Sequence, residues 1–124
     1  MTQIAAMAYA AIVAVVIVFQ LCLVAGAPWG RLTQGGRHEG SLPAPGRIAA
    51  ALSIGLLVCM AAGISSAAGL FPHWPAWTAW AALAVQAPSM LANWATPSRA
   101  ERRLWGPVTT LMLGLAVYVV FGTS

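Results

Sequence analysis

Charge is what this chain has least of: two glutamates and six basic residues, every one an arginine, make up 6% of its 124 residues, against about 25% in soluble proteins. With 60% hydrophobic residues, too little polar surface is left to cover a globular core, so a soluble fold is excluded and an integral membrane protein is expected. Cysteine is equally scarce. Cys22 and Cys59 stand alone inside apolar runs, without the CxxC spacing of a thiol redox pair. At 1.5 Å of rise per residue their depths differ by roughly 14 Å, too far for a disulfide, whose Cα atoms lie within about 7 Å. Both are read as small buried packing residues. Metal ligands are also missing: His38 and Glu39 are neighbours, the only other histidine is His73, and a metal needs at least three convergent ligands.

Four apolar runs do reach the length of about 20 residues that spans the hydrocarbon core. They lie near 3–26, 47–70, 75–95 and 103–122, which predicts an all-α fold: one integral membrane four-helix bundle over residues 1–124. No basic residue precedes the first run, and its small-residue end passes directly into Pro28-Trp29-Gly30-Arg31. It is therefore read as a retained helix and not a cleaved signal. Punctuation agrees with the other limits. Pro28 follows Gly26, Pro43-Ala44-Pro45-Gly46 precedes the second run, and Phe71-Pro72-His73-Trp74-Pro75 makes a short turn before the third. Ser98, three residues ahead of Glu101, reads as a capping box opening the fourth helix, and Pro107 predicts a kink within it.

The arginines set an expected orientation. Arg31, Arg37 and Arg47 flank the first connection, Arg99, Arg102 and Arg103 the third, and the second connection and both tails have none. By the positive-inside rule the arginine-bearing connections are cytoplasmic and both termini lie outside. Trp29, Trp94 and Trp105 then mark the inner interface, and Trp74, Trp77 and Trp80 the outer one. No basic run is interleaved with exposed aromatics, so nucleic acid is excluded as a partner.

No ionisable residue lies deep inside any of the four runs, which removes the usual seat of proton-coupled transport. A small multidrug exporter depends on a membrane-embedded carboxylate in its first helix, and residues 3–26 have none. What the runs do contain is uncharged polarity at one depth. Gln20, Ser53, Gln86, Ser89, Thr109 and Thr110 fall roughly 9–14 Å from the inner boundary at 1.5 Å per residue. Gln86, Ser89 and Asn93 share one face of the third helix, and Pro88 frees a backbone carbonyl beside them. These seven residues form either a polar pocket open to the cytoplasm or a set of interhelical hydrogen bonds holding the bundle together.

On the second helix, Ala51, Gly55, Cys59, Gly63 and Ala67 recur every four residues. Such a stripe lets another helix approach closely, whether in the same chain, a second copy or a membrane-protein partner. The cytoplasmic loop 27–46 is rich in glycine and arginine and long for a helix–helix connection. Gly35 and Gly36 can form an anion-binding nest, which together with Arg31, Arg37, Arg47, Arg99, Arg102 and Arg103 makes an expected site for phosphate or an anionic lipid headgroup. It is no P-loop, for the lysine and the spacing are absent.

Two motifs carry a resemblance. Ala27-Pro28-Trp29-Gly30, Gly35-Gly36, Gly40, Leu42-Pro43 and Arg47 form the first; Asn93, Thr96-Pro97-Ser98, Glu101-Arg102, Trp105 and Pro107 form the second. The chain resembles, over most of its length, an uncharacterised family of small bacterial four-transmembrane-helix proteins. The resemblance implies the same topology in a bacterial cytoplasmic membrane, and carries no activity and no cofactor. An ion pair between Glu39 or Glu101 and an arginine of the other loop is expected to cap the pocket.

Three functional readings follow. The first is a non-enzymatic accessory or interaction subunit of a membrane complex with a bound lipid. The alternative is a carrier or channel for a small solute lined by Gln20, Gln86, Ser89 and Asn93. The third is an interfacial enzyme using His38 and Glu39 as acid and base, which lack any visible partner to tune them.

Overall fold

The computed structural model describes every residue from Met1 to Ser124. It is all-helical: α1 (Thr2–Val24), α2 (Ala44–Ala67), α3 (Trp77–Ala95) and α4 (Arg99–Thr123), with two 3₁₀ turns, Gly30–Leu32 and Gln34–Gly36, in the first connection.

Glycine and proline decide where these helices stop and start. α1 ends at Val24 and not at 26, because Gly26 takes a φ of 102° and the Ala27 N–H returns to the Cys22 carbonyl at 2.9 Å. α2 ends at Ala67 for the same reason: Gly69 has a φ of 82° and the Leu70 N–H bonds the Ser65 carbonyl at 3.0 Å. At its other end α2 starts at Ala44, ahead of the expected 47, since Pro45 is tolerated in a first turn whose N–H groups have no helical partner. α4 starts at Arg99 with Ser98 as its N-cap, the Ser98 Oγ accepting from the Glu101 N–H at 3.1 Å.

Consecutive helices run antiparallel, and α1 also packs on α4, so the four close into a ring. One end of the ring, the terminal end, holds both chain termini and the turn between α2 and α3. The other, the arginine end, holds the remaining two connections and all six arginines. The two ends are packed differently. Toward the terminal end a continuous core joins Ala5, Ala6, Tyr9 and Val13 of α1, Met60 and Ile64 of α2, Ala79 and Ala82 of α3, and Met112, Ala116, Val119 and Val120 of α4. Alanines at so many of these positions let the backbones come close. Toward the arginine end only a small cluster of Leu23, Leu42 and Ala50 packs, binding α1 to α2.

Among the glycines inside the four α-helices the tightest approach is at Gly63, where a Cβ would stand 2.8 Å from the Thr78 carbonyl oxygen of α3. Neither backbone can yield, so Gly63→Val should lower stability by about 1–3 kcal/mol in a reversible detergent unfolding titration. Gly55, eight residues earlier on the same helix, has nothing within 4 Å of a built Cβ. Gly55→Ala should leave the protein unchanged or raise its stability by about 0.4–1 kcal/mol, through the lost freedom of the unfolded chain.

α1, α2 and α4 are long and apolar enough to cross a membrane. α3, at 19 residues, is outside that set because its tryptophans and its Gln86, Ser89 and Asn93 lower its mean hydropathy. Large apolar side chains cover the outside of the ring, among them Ile4, Val15, Val18, Leu52, Val58, Leu111 and Phe121. Only 25 of 124 residues are buried, so this surface needs an apolar surrounding.

Candidate functional site

The first connection does not hang free at the arginine end; it is bound down onto α4. Ser98 donates its hydroxyl to the Arg31 carbonyl at 2.7 Å, and the Trp105 indole N–H donates to the Leu32 carbonyl at 2.8 Å. The Gly35 N–H donates to Oε2 of Glu101 at 3.3 Å. A Cβ on Gly36 would lie 2.6 Å from that of Ser98, so glycine is what allows this approach. The loop also closes on itself. Trp29 and Gly40 form an isolated bridge, and the Gly30 N–H bonds the Gly40 carbonyl at 2.8 Å.

Beneath this cap lies a cavity of about 470 Å³, within the range of small-ligand sites. All four helices and the loop contribute: Val16 and Gln20 from α1; Ser53, Leu56, Leu57 and Met60 from α2; Val85, Gln86, Ser89, Ala92 and Asn93 from α3; Glu101, Trp105, Thr109 and Met112 from α4; Thr33, Gln34 and Gly35 from the loop. The walls formed by α1 and α4 are buried or half-buried. The lining residues that keep an exposed surface are Leu56 on α2, Val85, Ala92 and Ala95 on α3, and Pro97 just past the end of α3. The mouth therefore opens sideways between α2 and α3, which touch at Gly63 and part toward the arginine end.

Of the seven residues expected to form a polar set, Gln20, Ser53, Gln86, Ser89, Asn93 and Thr109 line this one cavity. Thr110 does not. It lies about 100° further round α4 than Thr109, on the outside, where it accepts from the Trp94 indole N–H at 2.7 Å. Gln86 is the most tightly held: its Oε1 accepts from the Tyr9 hydroxyl at 2.9 Å and its Nε2 faces the Thr109 carbonyl at 3.5 Å. It is packing glue at the floor of the cavity. Pro88 and the Ala84 carbonyl it frees belong to the outward side of α3, where both residues are exposed, and do not face the cavity.

The expected anion group is dispersed. Arg31, Arg37, Arg99 and Arg103 are exposed, while Arg47 lies against Gly26 and Arg102 donates to the Thr96 carbonyl at 3.2 Å. The cavity lining includes no arginine. Gln34, Gly35 and Gly36 all have positive φ, but the anion facing that turn is the chain's own Glu101. Here the expected interloop link takes a different form: Glu101 reaches the first loop through a backbone N–H and not through an arginine. Thr96 explains why that carboxylate is free to do so. Its Oγ1 accepts the Ser98 N–H at 3.2 Å, the donor a complete capping box assigns to the glutamate.

The stripe on α2 divides. Gly63 is buried against α3 and Ala67 packs beside the core, but Ala51, Gly55 and Cys59 are exposed. Cys59 is therefore no buried packing residue, and Cys22 is half-buried; both are free thiols. His38 and Glu39 sit exposed on the loop, away from the cavity. Tyr9, Thr33 and Gln34 have no place among the residues expected from sequence, and Thr96 enters there only as part of a motif. For Tyr9 a signal existed, since a hydroxyl in an apolar run needs a buried partner.

These features define a class: an all-helical, membrane-type bundle with three candidate spans and a laterally open polar cavity at one end. No family model, no curated protein and no solved structure matches the chain.

Proposed function

We propose that this is a non-enzymatic, multi-pass protein of a bacterial cytoplasmic membrane that binds a lipid or other membrane-soluble small molecule, and serves as an accessory or interaction subunit. The observation that carries the binding is the cavity of about 470 Å³ with its mouth between α2 and α3. A ligand entering there comes from the lipid and not from water, because the loop docked on α4 covers the cavity from above.

In this reading α3 is the fourth span. Its low mean hydropathy comes largely from Gln86, Ser89 and Asn93, which line the cavity, while its outward face is apolar: Ala81, Ala84, Val85, Pro88, Leu91, Ala92 and Ala95. At 1.5 Å per residue its 19 residues match a hydrocarbon core of about 30 Å. The gathering of every arginine at one end supports cytoplasmic loops and outside termini. Membership of the small four-span family rests on the two loop motifs, whose residues Gly30, Gly36, Ser98, Glu101 and Trp105 all serve the docked cap.

Native mass spectrometry of protein drawn from its own membrane in mild detergent tests both parts. One defined lipid or small molecule held per chain, and lost when Ala92→Trp blocks the mouth, upholds the binding role; chains that arrive empty overturn it. A reproducible protein companion upholds the subunit role, for which the exposed Ala51, Gly55 and Cys59 offer a close-packing face. Solitary chains overturn that role alone.

A carrier for a small solute is the second reading. It requires the terminal half to open, where Tyr9, Ile64, Ala116 and Val119 have no exposed surface. Asn93→Leu discriminates: it abolishes flux in a carrier and leaves none to lose in a binding subunit.

A further inference from the structure

Resting on the reading of the cavity as a binding site, we infer that its ligand is an amphiphile headed by a primary ammonium group, which Glu101 receives. The head enters between α2 and α3 and the tail stays against Leu56, Val85 and Ala92 at the mouth.

Glu101 is the one formally charged residue in the lining and is only 6% exposed. Buried carboxylates are normally paired with a cation or held by several hydrogen bonds. This one has a single bond, from the Gly35 N–H at 3.3 Å, beyond the usual N–H···O range of 2.7–3.2 Å. The six arginines all belong to this end of the bundle, yet none lines the cavity. The first turn of α4 favours a negative charge, but it supplies no donor to the free oxygen. A cation arriving from outside does.

The uncharged lining agrees. Gln34 donates its amide to the Gly46 carbonyl, Ser53 its hydroxyl to Ala49, Asn93 its amide to Ser89, and Thr109 its hydroxyl to Trp105. The hydroxyls of Ser53 and Thr109 spend their only donor inside the protein and keep an acceptor for a guest, while the amides of Gln34 and Asn93 each spend one N–H and keep their oxygen. Those oxygens, beside the Glu101 carboxylate, suit an –NH₃⁺ head with three donors. Trp105 lies one turn from Glu101 on the same helix and lines the same cavity; its indole N–H is committed to Leu32. Tryptophan faces attract cations.

The test uses the full chain in phosphatidylcholine nanodiscs, with dodecylamine and dodecanol as probes of equal tail and bound probe counted by native mass spectrometry. Wild-type protein should prefer the amine by about tenfold or more, the size of one hydrogen bond to a charged group. Glu101→Gln, which keeps an oxygen for the Gly35 N–H, should bring that ratio to about one. Glu39→Gln, on the exposed loop, should leave the preference in place. Equal binding of the two probes by wild type, or a preference that survives Glu101→Gln, overturns the ammonium assignment and leaves the cavity reading standing. Failure of wild type to hold either probe overturns both. Adding phosphatidylethanolamine to the discs separates two sources of the same head: displacement of dodecylamine assigns the ammonium to a membrane lipid, and persistence assigns it to a free long-chain amine.

Discussion

Replacing Tyr9 by alanine should lower stability by about 3–5 kcal/mol, the range for deleting a buried aromatic ring. Tyr9 has no exposed surface and belongs to the core that joins all four helices. Its ring fills the space between α1 and its neighbours, while its hydroxyl reaches 77 positions along the chain to Gln86 Oε1 at 2.9 Å. The two contributions separate by substitution. Tyr9→Phe keeps the ring and leaves Gln86 with an unpaired oxygen, so the loss should be about 0.6–2 kcal/mol, the range of interhelical hydrogen bonds in membranes. Gln86→Leu should cost a similar amount, and the two together less than their sum, since they break one shared bond. Reversible unfolding in mixed detergent measures all four variants. A loss below about 1 kcal/mol for Tyr9→Ala would mean the helices do not meet around this ring.

The second large effect is expected at Gly30, in the loop and not in a helix. A side chain there would collide with the His38 carbonyl and stand 2.7 Å from that of Gly40. Both obstacles are backbone, in a bridge that closes the loop. Gly30→Val must therefore open the loop, and with it the bonds that hold Arg31 and Leu32 to Ser98 and Trp105. An overpacking cost of about 1–3 kcal/mol corresponds to a roughly 5- to 150-fold larger open population, and cleavage of a transiently opened segment follows that population. Trypsin added from the arginine side should cut after the exposed Arg31 or Arg37 faster by that factor. Because Thr33, Gln34 and Gly35 line the cavity, the variant should also weaken the binding proposed for it. Cleavage at the wild-type rate would show that the loop is not docked.

Much of this molecule could be read along the chain because the governing rules are local. Apolar length, glycine and proline punctuation and the Ser98 cap each act within a few residues, and the helices begin and end within four residues of where these signals place them. The common depth of Gln20, Ser53, Gln86, Ser89 and Thr109 is likewise a matter of counting at a fixed rise. Thr110 was misplaced by the same counting, which gives depth but not direction: one residue further is 100° around the helix, and that turned it from cavity to exterior.

The α2 stripe shows where periodicity stops being informative. Ala51 to Ala67 looks uniform in sequence, yet α2 meets α3 backbone to backbone where Gly63 faces Thr78, while Ala51, Gly55 and Cys59 of the same stripe stay exposed. No local pattern encodes the angle between two helices. It arises from the side chains both bring to one crossing.

By itself, then, the sequence determined that the chain is helical, lipid-seeking, and polar at one level with its arginines at one end, since composition, spacing and rise are properties of a single strand of residues. Only the tertiary structure decided that this polarity encloses a cavity, that its mouth faces sideways, and that Glu101 turns inward while Thr96 takes over its capping role. Those depend on which surfaces meet across the bundle, and the bonds that dock the loop and anchor the cavity floor join residues more than sixty positions apart.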